Sequence, residues 1–539
     1  MSDTLPLVVQ NLSFKYRSRP TPSIKDISFE LNAGELLLVA GASGCGKTTL
    51  IRVINGLAPR SYKGELSGQI LLHGQQVTGW SLAKISQRVG TVLQDPERQI
   101  LGTRVISEVA FGLENLNLPR AEIIQRAEEA LTYLNILHLR DRETFNLSGG
   151  EKQKVALAGV LAMRPSIILL DEPLASLDPA SALETLAMVR RLADEGLSVL
   201  IVEHRVEDVL KINPDRVMFM MEGEIRYLGE TTGLFNAVDH REVKLPAPMI
   251  IQKAAAAPAL EEGQLWPKVS KLESGLEPIV RFENVAFGYE SETEVLHGLT
   301  LDIRRGDIIA VLGPNGAGKT TFVKHAIGLL KPQAGRVLVD GRDTRETSVA
   351  EIAKVLGYVF QSPSHMLFAP TVREELAFGP INLRHKKDEI EKEVKEALRI
   401  VNLADKEQDS PLSLSFGQQK RVSIAAILAM GSRILVMDEP TAGQDYKNYM
   451  NFMDAILQLP GFEAIIFITH DVDLAVVYAN RVILIADGRV AADGTPPEVL
   501  KDVERLRACR VVPTSLLEAN LSRRPQANRF LRAEALAHL

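Results

Sequence analysis

Short apolar runs, bounded by polar or turn-forming residues, recur along this chain with helical-period stretches between them. The runs at 36–40, 167–170 and 199–202 read as parallel strands buried on both faces. Runs of the same kind return at 308–312, 434–437 and 465–468. Helical periods span 121–137 and 387–401. Strand–helix alternation of this kind predicts an α/β fold, with a doubly wound sheet in each half.

The two halves are copies of one another. Gly41-Ala-Ser-Gly-Cys-Gly-Lys-Thr-Thr49 returns 272 residues on as Gly313-Pro-Asn-Gly-Ala-Gly-Lys-Thr-Thr321. Gln94-Asp-Pro returns as Gln361-Ser-Pro, Leu147-Ser-Gly-Gly-Glu151 as Leu414-Ser-Phe-Gly-Gln418, and Leu170-Asp-Glu-Pro173 as Met437-Asp-Glu-Pro440, each 267 residues on; His204 returns as His470 after 266. A near-constant offset over five motifs means two homologous domains. The drop of five after the first motif puts about five extra residues in the first copy, near 59–68. The expected organisation is a first domain over 1–238, a linker over 239–278 and a second domain over 279–511. A tail follows over 512–539, with a short helix at 528–539.

Composition narrows the field. The only cysteines, Cys45 and Cys509, cannot hold a four-thiolate metal or iron–sulfur site, and so few suit a reducing compartment. A net charge of -6 makes the chain a poor general nucleic-acid binder. No stretch approaches about 18 uncharged apolar residues, and the charged N-terminus lacks a signal-peptide core. Work at a membrane would therefore go through partners.

Both copies of G-x-x-x-x-G-K-[ST] follow an apolar strand and precede a helical pattern, the context of a phosphate-binding loop. The glycines Gly41, Gly44, Gly46, Gly313, Gly316 and Gly318 let backbone N–H groups, those of Ser43 and Asn315 included, wrap a phosphate at a helix N-terminus. Lys47 and Lys319 are placed to neutralise the β- and γ-phosphates. Thr48 and Thr320 are placed to offer a hydroxyl to Mg²⁺, beside Thr49 and Thr321. Cys45 reads as a small side chain tolerated in the loop. Asp171 and Asp438 end apolar strands, where α/β sheets bind ligands, and suit the metal; Glu172 and Glu439 suit the attacking water. His204 and His470, also at strand ends, suit the γ-phosphate, and Gln94 and Gln361 suit the metal or water from their loops.

Leu147-Ser-Gly-Gly-Glu-Lys-Gln153 and Leu414-Ser-Phe-Gly-Gln-Gln-Lys420 read as helix starts with capping boxes, each 23 residues before the strand-end aspartate. With these signatures, the chain resembles the ATP-binding-cassette (ABC) family twice over, including the loops Ala175-Ser-Leu-Asp178 and Ala442-Gly-Gln-Asp445. The resemblance implies two tandem P-loop NTPase domains. Each would have a RecA-like core, an N-terminal antiparallel β subdomain and a helical signature subdomain. It implies Tyr16 and Tyr289 stacked on adenine, and ATP and Mg²⁺ bound at two intramolecular composite sites. ATP on Lys47 would be capped by Ser415 and Gly417, and ATP on Lys319 by Ser148, Gly149 and Gly150. Phe416 stands where the family has its first signature glycine. Two competent sites are still expected, the substitution bearing on the one at Lys47.

After the Gln loops, Glu108-Val-Ala-Phe-Gly112 and Leu367-Phe-Ala-Pro-Thr-Val372 with Glu375-Leu-Ala-Phe-Gly379 resemble energy-coupling-factor (ECF) importer ATPases. That resemblance implies a peripheral subunit at the cytoplasmic face of the cell membrane. Its partners would be a transmembrane scaffold, docked at Ile100, Leu101, Leu367 and Phe368, and a membrane-embedded substrate-binding subunit. The cargo would be a vitamin, a vitamin precursor such as thiamine or hydroxymethylpyrimidine, or a metal ion. Fusion of two cassettes departs from the usual ECF pattern. A twin-cassette translation factor and a fused sugar-importer ATPase are the alternatives.

Overall fold

A computed structural model describes residues 4–175, 177–256, 266–267, 277–290, 293–441, 444 and 446–538. The chain divides into two compact units, chiefly residues 1–245 and 246–539.

In the first unit, every residue of the strands Leu36–Gly41, Ile167–Asp171 and Ser198–Val202 is buried. Both faces are covered, so these strands read as unbroken apolar runs rather than alternating ones. The sheet runs, edge to edge, Glu224–Gly229, Arg216–Met221, Leu36–Gly41, Ser198–Val202, Ile167–Asp171, Val89–Val92. All pairs are parallel except the edge hairpin that ends at Gly229. The nonconsecutive order brings the C-terminal ends of Leu36–Gly41, Ile167–Asp171 and Ser198–Val202 to one edge of the sheet, where ligands bind in such folds. A second, antiparallel sheet holds Ile24–Leu31, Leu7–Tyr16, Gly64–Leu72 and Gln75–Gln76. Its Leu7, Leu12 and Phe14 share one core with Leu37, Val39 and Leu50. The helices Val105–Asn115, Arg120–Tyr133 and Gly149–Ala162 pack on one another as a third layer.

The second unit repeats this plan. Its main sheet runs Leu356–Val359, Ile434–Asp438, Ala464–Ile468, Ile308–Leu312, Arg481–Ala486, Arg489–Gly494. Its antiparallel sheet holds Thr293–Arg304, Pro278–Glu290, Ala334–Val339 and Arg342–Asp343. The helices Val372–Asn382, Lys387–Ile400 and Phe416–Ala429 enclose a separate apolar cluster around Leu376, Leu398 and Val422. The extra residues of the first copy lie in the short helix Leu57–Arg60 and in a longer strand, Gly64–Leu72 against Ala334–Val339.

Two expected elements differ. The helix expected over 121–137 stops at Tyr133, because Asn135 takes a left-handed conformation at φ 56° and ends the ladder. The tail helix lies at Ser515–Arg523, not 528–539; among the described residues of that stretch only the 3₁₀ turn Ala535–His538 forms, and Leu539 lies outside them. Leu516, Leu517, Ala519 and Asn520 supply its buried side, and Thr514 caps it. That helix packs on the helices Ala247–Ala254 and Val472–Tyr478. Asn520 is fully buried, donating to the carbonyls of Leu516 (3.0 Å) and Leu531 (2.9 Å) and accepting from the N–H of Leu531 (2.8 Å). Thr514 bonds Asp473, Arg532 pairs with Asp454, and the Trp266 indole donates to the Phe530 carbonyl at 3.1 Å.

Truncating a buried amide leaves its partners unsatisfied, so Asn520→Ala is expected to cost about 2 kcal/mol. The chain has two tryptophans, so in a Trp80→Phe background Trp266 is the only indole. Its fluorescence should report a lower urea midpoint for Asn520→Ala; an unchanged midpoint would mean that the amide does not hold the tail.

Candidate functional site

Each phosphate loop is a strand-to-helix turn that few residue types can make. Gly41 and Gly313 sit at φ 151°, where a Cβ would lie 2.3 Å from the Met220 carbonyl oxygen and 2.1 Å from that of Ile485. Gly46 and Gly318, also at positive φ, precede the helices Lys47–Ile54 and Lys319–Ala326. Ser43, Gly44, Asn315 and Gly316 form the exposed crest of the loops. The Lys47 ammonium is buried and donates to the carbonyls of Gly41 (2.7 Å) and Ala42 (3.0 Å); Lys319 does the same to Gly313 (2.7 Å) and Pro314 (2.8 Å). Cys45 is buried 3.8 Å from the Lys47 ammonium, and burial pushes its thiol up, away from a reactive thiolate. Thr49 and Thr321 face the Tyr16 and Tyr289 hydroxyls at 3.2 and 3.3 Å, which ties each tyrosine to the first turn of its helix.

The strand-end acids meet this loop within each unit. Thr48 donates to Asp171 at 3.2 Å, and Thr320 to Asp438 at 3.2 Å. Burial and the neighbouring Glu172 charge push Asp171 up to about 6, against the Thr48 bond. Burial likewise raises Asp438, which also accepts from the Tyr358 hydroxyl at 2.7 Å. The hydroxyl, the carboxylate and the amide oxygens of Gln94 or Gln361 are hard oxygen donors of the kind Mg²⁺ takes, and the close Thr–Asp pair in each unit fits one shared ion.

Glu172 and Glu439 are held in left-handed backbone conformations at φ 50° and 45°, their N–H groups bonded to Val202 and Ile468 of the adjacent strands. Such a conformation costs a non-glycine residue about 1 kcal/mol, and strain of this kind clusters at functional sites. His204 Nε2 lies 2.8 Å from Glu172, and His470 Nδ1 lies 2.8 Å from Glu439. Burial disfavours both charges, yet the histidine contacts and the loop lysines outweigh it, holding both carboxyls below their ordinary value. Gln94 donates to Glu172 at 2.6 Å; Gln361 is exposed, with no hydrogen bond to a described residue. The two units thus present the same groups in unequal arrangements.

Ser148 and Ser415 cap the helices Gly149–Ala162 and Phe416–Ala429 through capping boxes with Glu151 and Gln418. Gly150 has ordinary room around it, and nothing lies within 4 Å of where a Gly417 Cβ would be. Ser176, Ala442, Gly443 and Asp445 of the loops after the acids lie outside the described residues.

Each unit thus holds a lysine loop, a hydroxyl–aspartate pair and a histidine-paired glutamate at one sheet edge, and the ABC transporter family model matches residues 24–175 and 296–442. The chain belongs to the ABC transporter family. It carries two fused cassettes and its activity is ATP hydrolysis. A provisionally named ABC transporter ATP-binding protein of Caldanaerobacter subterraneus subsp. tengcongensis is 35% identical over 542 residues, covering 95% of both chains. Another, from Methanosarcina acetivorans, is 35% identical over 549 residues, covering 95% of this chain and 89% of its own. Among solved structures, cbiO1 from Clostridium perfringens, part of the ABC transporter complex cbiONQ, is 33% identical. The match covers 47% of this chain and 97% of that one, with a TM-score of 0.40. No helix among the described residues is long and apolar enough to cross a membrane.

Several features of this ABC ATPase escaped the sequence reading, and two acids quoted there in motifs, Glu108 and Glu375, gain a structural role. The Tyr358 hydroxyl on Asp438 carries no motif. Glu108 and Glu375 are buried acids, and each accepts two backbone N–H groups of the turn before it: Leu101 and Gly102, or Phe368 and Ala369, at 2.7–2.9 Å. Glu203, Arg205 and Lys420 stand out only when the copies are laid side by side, since Thr469, Asp471 and Gln153 replace them. Lys420 is buried, donates to the Pro440 carbonyl at 2.5 Å and lies 5.1 Å from the Phe416 ring one helical turn away.

Burial pushes the Lys420 ammonium down to about 7, against the pull of Glu439. The unfolded chain then binds this proton first, so stability falls as pH drops from about 10.4, the ordinary lysine value, towards 7 and levels below it. Lys420→Gln, which copies Gln153, is therefore expected to gain stability relative to the parent over that window. Urea denaturation across pH should show the gap widening downwards to about 7; a pH-independent gap would contradict the assignment.

Proposed function

We propose that the chain is the ATPase of an ECF-type importer, hydrolysing ATP at two composite sites to drive uptake of a vitamin, a vitamin precursor or a metal ion. The observation that carries this reading is the pair of turns after the Gln loops. Leu101 is 70% exposed and Phe368 62% exposed, and each is held out by two N–H bonds to a buried glutamate. Large apolar side chains presented on rigid turns are what a membrane scaffold would grip. Phe368 packs edge-on against Phe378, itself 51% exposed, at 4.8 Å. A cavity of about 410 Å³ reaches Glu108, the acid that holds the Leu101 turn, and is also lined by Leu57, Leu82, Gln99, Phe111 and Met163. Of the four residues expected to dock, Leu367 is instead buried in the helical core, because its turn points Phe368 outwards. In this reading the scaffold docks on Leu101 and Phe368, with the half-buried Ile100 next to Leu101, at the cytoplasmic face of the membrane.

At each site the phosphate loop and its lysine bind ATP, and the threonine, aspartate and glutamine hold Mg²⁺, which neutralises phosphate charge when bound. Glu172 and Glu439 orient the attacking water and accept its proton. Their histidines, within 3 Å in this structure, exchange that contact for the γ-phosphate. ATP on Lys47 is capped by Ser415 and Gly417, and ATP on Lys319 by Ser148, Gly149 and Gly150, each at a helix N-terminus suited to phosphate.

Leu101→Asp with Phe368→Asp should abolish co-purification of a small integral-membrane scaffold from solubilised membranes while ATP hydrolysis by the purified chain persists. Retained scaffold, or recovery with ribosomes, would end the ECF reading. Glu172→Gln and Glu439→Gln should each lower ATP turnover by about 10² or more at their own site; one silent substitution would mark a single working site.

A further inference from the structure

The residues on either side of His204 and His470 differ between the cassettes: Glu203 and Arg205 in the first, Thr469 and Asp471 in the second. Glu203 is 2% exposed at the end of the strand Ser198–Val202. One carboxylate oxygen accepts the Leu174 N–H at 2.8 Å, and the other accepts those of His204 (3.1 Å) and Arg205 (3.3 Å). Arg205 closes the link from the other side. Its guanidinium donates to the carbonyls of Leu174 (3.3 Å) and Leu177 (3.2 Å) and is steadied by Asp208 at 2.8 Å. Leu174 and Leu177 belong to the turn after Glu172, and Asp178 beyond them caps the helix Pro179–Asp194. The turn carrying the general base and the turn carrying its histidine are therefore joined by three hydrogen bonds through two side chains, and two more hold the Glu203 carboxylate to its own turn.

The second cassette is wired otherwise. Thr469 donates to Glu439 at 3.3 Å and accepts the Asp471 N–H at 3.0 Å, while Asp471 caps the helix Val472–Tyr478. Thr469 has no carboxylate to gather several N–H groups, and Asp471, whose carboxylate accepts the Asp473 N–H at the helix cap, has no guanidinium to donate to carbonyls. In the first cassette the clamp also has a cost, because burial and the Glu172 charge both push Glu203 up, to about 7. A buried acid beside another acid is expensive unless it holds several donors, which this one does.

We propose that Glu203 and Arg205 are positioning residues specific to the first cassette, a clamp that makes Glu172 and His204 move as one unit during hydrolysis of the ATP held by Lys47. Both clamp side chains bond backbone groups of the two turns. The clamp acts by fixing the backbone that carries the general base, where misplacement by about 1 Å can cost about 10²-fold in rate.

This inference rests on Glu172 and Glu439 serving separate sites, so the experiment uses full-length chains in which one site at a time is silenced. The exchange Glu203→Thr with Arg205→Asp, made in a Glu439→Gln chain, should lower kcat about tenfold or more while KM for ATP stays within about twofold. In a Glu172→Gln chain the same exchange should change kcat less than about twofold, and Arg205→Lys should fall between the parent and the exchange in the Glu439→Gln chain. An unchanged kcat with Glu439→Gln would overturn the clamp, as would an equal loss in both backgrounds or a loss carried by KM. Should Glu439→Gln alone abolish all turnover, the two-site reading fails instead. The otherwise unsubstituted chain then decides: the clamp still requires about a tenfold fall in kcat, and an unchanged kcat refutes it.

Discussion

Each cassette is organised around one buried ammonium, Lys47 or Lys319, held at the C-terminal edge of a parallel sheet by carbonyls of its own loop. A buried cation is tolerable only with oxygen partners close by, and nucleotide phosphates are such partners of opposite charge. The glycines at φ 151°, the helix that begins at the lysine and the apolar strand before it all follow from presenting that ammonium with inward N–H groups. The threonine stands in the first turn of that helix, while the aspartate ends a strand two places along the sheet and the strained glutamate follows it, so the sheet sets their spacing. Sequence distance hardly matters: Thr48 and Asp171 are 123 residues apart and 3.2 Å from one another.

The copies have diverged in how these groups are secured. The first ties Glu172 to both His204 and Gln94; the second ties Glu439 to His470 and Thr469 and adds Tyr358 on the aspartate. Phe416 in place of a signature glycine has Lys420 beneath it, and that ammonium reaches the carbonyl beside Glu439. In the second cassette this pair links the helix Phe416–Ala429 to the turn that carries Glu439. Duplicated sites free to drift in this way can take on different rates while keeping one chemistry.

Much of this was legible in the chain because the groups involved are constrained by backbone. Buried parallel strands must be continuously apolar, so 36–40 and 434–437 were readable to within about a residue. The phosphate loops were readable because only glycine fits where a Cβ would meet a carbonyl oxygen. The tail helix was not, since its amphipathic face is set by the helices it meets: Asn520, polar in the sequence, is the buried lock. Glu203, Lys420 and Tyr358 escaped because single polar residues at strand ends and on helices look solvated until tertiary packing closes over them. Leu367 and Phe368 are adjacent and alike in hydropathy, and only the turn held by Glu375 decides which one faces out.

In the proposed function each triphosphate is gripped by both halves, and paired substitutions read this directly as ATP turnover in the full chain. Lys47→Ala with Ser415→Arg damages one composite site twice and should keep about the activity of Lys47→Ala alone. Lys47→Ala with Ser148→Arg damages both sites and should leave almost none. The opposite order would show that each half works with its own signature, and equal activities would show that the two signatures are not assigned to separate triphosphates; either would contradict the account.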